Sequence, residues 1–132
     1  AGFMIGALSG FCSNFYFGQG PWTPWQMFAF GIIGFLSGAL RVLFISKDNT
    51  PKRISISLFA FMAVMVIYGG IMNTSTVLMY EPEPTVMMIL AACGTGFIFD
   101  LTHAVSTVVF IFLFAKPLFE KIVRVKKKFG LL

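Results

Sequence analysis

Four apolar stretches, separated by short polar or proline-bearing segments, run the length of this 132-residue chain. Residues 1–17 carry no charge and only Ser9, Ser13 and Asn14 as polar interruptions. A membrane-crossing helix needs about 17–25 mostly apolar residues, so this stretch is a short first crossing. Gly2, Gly6 and Gly10 recur every fourth position, and small residues at that spacing let helix backbones approach closely in lipid. Residues 18–26 hold two glycines, two prolines and both tryptophans, Trp22 and Trp25. Such a segment breaks the helix as a turn or re-entrant loop, and tryptophan favours the membrane–water interface. A second crossing is predicted over 26–45, with Gly31, Gly34 and Gly38 marking another close-packed face. The polar loop 46–53 follows, with Pro51 opposing continuation of the helix.

The third crossing is predicted over 54–79, its far end made polar and unwound by Gly69, Gly70, Asn73, Thr74, Ser75 and Thr76. A stiff acidic loop, Tyr80-Glu-Pro-Glu-Pro84, comes next. Residues 85–93 are apolar but too few to cross, which predicts an interfacial or re-entrant helix ended by Gly94 and Gly96. The fourth crossing is predicted over 97–118, continuing as a charged helix into water. The expected fold is one all-α integral membrane domain spanning residues 1–132, with four transmembrane helices and a short interfacial helix.

Composition strengthens that reading. Hydrophobic residues make up 58% and charged residues 11% of the chain, against about 25% charged in soluble domains. A domain this small cannot bury so much apolar surface from water. The net charge of +5 does not indicate nucleic acid, because the basic residues form no stripe interleaved with aromatics. Nine of the ten lie in the 46–53 loop or in the tail from Lys116 to Lys128, and the loops 18–26 and 80–84 hold none. The positive-inside rule then puts the basic loop and the C-terminus in the cytoplasm and the Trp-Pro and Glu-Pro loops outside. Juxtamembrane lysines of the tail are set to attract anionic lipid. Cys12 and Cys93 have no metal-ligand or redox spacing, so no metal or cofactor is expected. The chain starts inside an apolar run without an initiator Met, positive flank or cleavage site; it is not a signal peptide, and a preceding part of the protein is expected.

Asp100 and His103 are the most informative polar pair. Three residues apart on a helix, they share a face, and ionisable groups at membrane depth face a cavity or a partner. The alternatives are an N-cap role for Asp100, or an enzyme in which Ser106 supplies a nucleophile. Glu81 and Glu83 read as solvated, or as capturing a cationic or polar ligand. Asn14, Gln19, Thr23, Gln26 and Asn73 add hydrogen-bonding groups on the same outer side. Tryptophan, amide and carboxylate groups converging there are what a small-molecule pocket requires. A ligand-free membrane scaffold is the remaining class.

Two stretches, Asn14-Phe-Tyr-Phe-Gly-Gln-Gly-Pro-Trp-Thr-Pro-Trp-Gln-Met27 and Phe99-Asp-Leu-Thr-His-Ala-Val-Ser-Thr107, with Lys116-Pro and the basic tail, resemble the substrate-specific S components of energy-coupling factor (ECF) transporters. The resemblance covers nearly the whole chain. It implies a six-helix bundle, of which four helices are present here, and a vitamin-like small molecule held near the extracellular side beneath closing loops. It also implies partners in the plasma membrane: a transmembrane scaffold subunit and two ATPase subunits that power import. Carried over, the resemblance makes residues 19–26 an outer lid and puts ligand contacts at Asn14, Trp22, Trp25, Asp100 and His103, with Gln19 and Gln26 beside them. No GxxxxGK[ST] motif occurs in the chain, in keeping with ATP hydrolysis by other subunits.

Overall fold

The computed structural model describes residues 1–40 and 50–130. Every regular element in them is helical. α1 is Gly2–Phe17 and α2 is Thr23–Ala39. A continuous rod follows: α3 (Thr50–Met62), a π-helical segment π1 (Ala63–Tyr68) and α4 (Gly69–Tyr80). α5 is Val86–Lys128. Two helical stretches, Arg53–Tyr80 and Val86–Lys128, are long and apolar enough to cross a membrane. α1 and α2, with 16 and 17 residues, extend about 24–26 Å. The predicted continuation of α2 to residue 45, and most of the 46–53 loop, lie outside the described residues.

Glycine contacts set the packing of the first hairpin. A Cβ on Gly2 would lie 2.3 Å from the Gly34 carbonyl oxygen, and one on Gly6 would lie 2.0 Å from that of Phe30. The pairing of 2 with 34 and 6 with 30 makes α1 and α2 antiparallel with backbones in direct contact. Gly18, at φ 97°, ends α1 in a conformation that favours glycine. Pro24 stands in the first turn of α2, where its missing N–H costs nothing.

The rod α3–π1–α4 packs against both α2 and α5. In π1 the Gly69 amide reaches the Val64 carbonyl, five residues back, and such wide turns change which residues face a neighbour. The expected unwinding at Gly69–Thr76 is absent; the chain there is regular α-helix, and the irregularity lies one turn earlier. Pro51 does not simply stop a helix. It falls in the first turn of α3, which therefore begins four residues before the predicted crossing.

The separate interfacial helix predicted over 85–93 is also corrected. α5 runs unbroken through Gly94 and Gly96. Gly96 is useful in that place, since a Cβ there would lie 2.4 Å from Asn73 Oδ1. Thr85, not Asp100, caps α5: its hydroxyl accepts from the Met88 amide at 3.3 Å. Thr85→Ala is expected to destabilise that end by about 1 kcal/mol, read as faster hydrogen exchange at the first α5 amides with the remainder unchanged.

Burial runs opposite to that of a water-soluble core. The buried residues are small or polar, among them Ala29, Ala63, Ala104, Asn14, Thr23, Ser75 and Asp100, while Phe15, Phe17, Ile98 and Phe99 face outward. Small residues inside and large apolar ones outside is the pattern of helices packed in hydrocarbon. Near the other end of the rod, Arg53 donates to the Phe112 carbonyl and lies over the Phe112 ring. Pro117, inside α5, has no N–H to donate to the neighbouring Leu113 carbonyl.

Candidate functional site

The polar residues of the bundle gather at the end of α1, the start of α2, and the middle of the α4–α5 pair. Asn14, 2% exposed, donates through its amide to Thr23 Oγ1 at 3.2 Å and to Gln26 Oε1 at 2.7 Å. Thr23 donates to Gln19 Oε1 at 3.0 Å and accepts from the Gly20 amide at 3.1 Å. Gln19 also donates to the Phe11 carbonyl. Residues nine and twelve positions after Asn14 are thus folded back onto it, and the Gly18–Trp22 turn is tied to α1.

Gln26 carries the network to the rod by donating to the Tyr68 hydroxyl at 3.3 Å. The Tyr68 ring has the Phe30 ring on one contact, with centroids 5.2 Å apart, and the His103 ring on another at 5.7 Å. Tyr68 therefore joins α2, π1 and α5. One position on, Gly69 admits the Asp100 carboxylate; a Cβ there would lie 2.5 Å from Asp100 Oδ2. Asn73, one turn further, donates to the same Oδ2 at 2.8 Å. Phe30 also borders an apolar cavity of ≈ 270 Å³ between α2, α3 and α5, with Ser37 and Thr107 as its polar lining residues.

Asn14, Gln19 and Gln26 thus form one network, and Asp100 and His103 both meet the rod beside Tyr68, as a shared helix face requires. They differ in burial: Asp100 is 9% exposed, whereas His103 is exposed and turns Nδ1 to the Phe99 carbonyl at 3.1 Å. Among the described residues no hydrogen bond links His103 to Asp100 or Ser106. The tryptophans sit at the rim. Trp22 lies over Gly20, whose Cβ would fall 2.4 Å from the indole ring, and Trp25 is about a third exposed. Among the described residues their rings make no hydrogen bond to this layer.

Tyr68 is the residue that sequence reasoning missed. A phenol inside an otherwise apolar run, 42 positions from Gln26, was the available signal. Buried tyrosine hydroxyls normally find a partner, but the identity of that partner depends on how π1 turns the rod. Comparison with family models, with curated proteins and with solved structures finds no match.

Proposed function

We propose that this chain is the membrane-embedded substrate-binding subunit of an ECF-type importer, capturing a vitamin-like micronutrient at the extracellular side. One observation carries the reading. A layer of amide, hydroxyl and carboxylate groups (Asn14, Gln26, Tyr68, Asn73 and Asp100) converges where four helical segments meet, beside a turn bearing Trp22. Such convergent polar groups in an apolar surround are the usual make-up of a small-molecule site.

On this reading all four helical segments cross the plasma membrane, and the C-terminal tail with Lys126, Lys127 and Lys128 lies in the cytoplasm. The polar layer then sits toward the outer face. The Gly18–Trp22 turn, tied down through Thr23 and Gln19, is the lid, and Trp22 and Trp25 form its rim. A scaffold subunit and two ATPases supply the energy for uptake, and the basic tail attracts anionic lipid.

The test is to purify the full-length gene product in mild detergent and identify the molecules that accompany it by mass spectrometry. A stoichiometric small molecule is expected with the wild type and at least tenfold less of it with Asp100→Ala, at unchanged monodispersity. Wild type and folded Asp100→Ala retaining equal amounts would remove Asp100 from the site. A ligand-free protein that also fails to join an ECF scaffold and its ATPases would overturn the whole reading.

A further inference from the structure

We infer that the ligand is an organic cation, its positive charge placed against Asp100. This rests on the binding role proposed above and specifies the class of molecule.

Asp100 is a carboxylate with no counter-charge among the described residues. Asp100 is 9% exposed and at mid-helix in α5. Its hydrogen-bond partner among the described residues is the neutral Asn73 amide. No Lys or Arg occurs in residues 1–40 or 54–115. Arg53, the described basic side chain nearest along the rod, is engaged with Phe112, twelve residues or about 18 Å further along α5. His103 is the one titratable base nearby, and its Nδ1 is turned to the Phe99 carbonyl.

A carboxylate in a low-dielectric site is stable as the anion only when paired. Ionisable groups at membrane depth accordingly mark ligand or ion pathways. The surroundings hold Asp100 in place without neutralising it. Gly69 and Gly96 let α4 and α5 close on the pair, since a Cβ at either would lie 2.5 Å or less from Asp100 or Asn73. Asn73 donates to Oδ2 at 2.8 Å and so fixes the orientation of the carboxylate.

Longer-range charge has the same sign. Glu81 and Glu83 are exposed on the turn joining α4 to α5, and the basic residues are confined to 41–53 and 116–128. The field at this end therefore draws cations and repels anions.

The test uses full-length protein in detergent, freed of co-purifying ligand, and thermal unfolding with three matched probes: benzylammonium, benzyl alcohol and benzoate. Stabilisation by benzylammonium alone is expected. In Asp100→Asn, which preserves shape and an acceptor for Asn73, benzylammonium affinity should fall about 100-fold, while the unliganded protein unfolds at the same or a higher temperature. Equal stabilisation by the alcohol or benzoate, no response to benzylammonium, unchanged affinity in Asp100→Asn, or a less stable unliganded variant each overturns the inference. The co-purified molecule separates the two levels: a stoichiometric neutral or anionic compound sinks the cation and leaves the binding role standing. Absence of any ligand, with no probe bound and no association with an ECF scaffold and its ATPases, sinks both.

Discussion

Gly6→Leu is expected to detach α1 from α2, lowering the unfolding temperature of the detergent-solubilised protein more than any other single change considered. The reason is backbone geometry. A Cβ at Gly6 would stand 2.0 Å from the Phe30 carbonyl oxygen and 2.7 Å from its carbonyl carbon, and neither can move without shifting α2. Overpacking against adaptable side chains typically costs about 1–3 kcal/mol; here even Gly6→Ala should reach the upper part of that range. Two controls make the result specific. At Gly10 the closest obstacle is the Phe30 ring at 2.9 Å, a side chain that can rotate, so Gly10→Ala should be milder. At Gly94 nothing lies within 4 Å, and alanine there should be neutral or stabilising by up to about 1 kcal/mol through helix propensity. Scanning fluorimetry of the four variants gives the order directly, and a Gly6→Ala protein as stable as Gly94→Ala would refute the close α1–α2 contact.

The second large effect is expected at Asn14. Its amide satisfies two acceptors on α2 from a position 2% exposed. Asn14→Ala leaves Gln26 Oε1 and Thr23 Oγ1 without that donor, and an unsatisfied buried polar group costs about 1–3 kcal/mol. A loss of about 2 kcal/mol in stability should be accompanied by a local signature. Hydrogen exchange should rise at Gly20 and Thr23, since the Gly20 amide bonds to the Thr23 hydroxyl and the Thr23 amide to the Gly20 carbonyl. Ligand retention should fall with it, because Gln26 would no longer be held toward Tyr68. Exchange that rises uniformly along the chain, with no focus on residues 18–26, would count against Asn14 as the tie between that turn and α1.

How much of this was legible beforehand depends on the range over which each feature is decided. Local chemistry was readable: Gly18 to Trp22 break the chain between α1 and α2, although α2 takes up Thr23 and Pro24 and so starts three residues before the expected crossing, and the tail continues α5 as a charged helix to Lys128. The glycine spacing of α1 and α2 announced close packing, although which glycine meets which backbone atom required the hairpin itself. Gly94 and Gly96 misled, because glycine ends helices where water can accept the freed backbone groups. In the proposed membrane setting every broken backbone bond would go unsatisfied, which accounts for a helix that runs through them. Asp100 was misread as a possible cap for a related reason. The helix start lies fifteen residues earlier, at Thr85, whose hydroxyl was a quieter signal than a lone carboxylate.

The sequence by itself determined the helical class, the segregation of basic residues to one end, and the candidate residues Asn14, Gln19, Gln26, Asp100 and His103. Each of these follows from residue type, local spacing or charge, which act within a few turns. Tertiary structure alone decided that the first three form a single hydrogen-bonded network and that Tyr68 joins it to the rod. It also decided that Asp100 is received between Gly69 and Asn73. Those outcomes depend on the register between antiparallel helices and on the π-helical turn of residues 63–68, where a Gly69 bond to Val64 rotates everything after it. Register is a property of two faces in contact, fixed by the fit of glycine against backbone at positions 6 and 30 and against a side chain at positions 69 and 100.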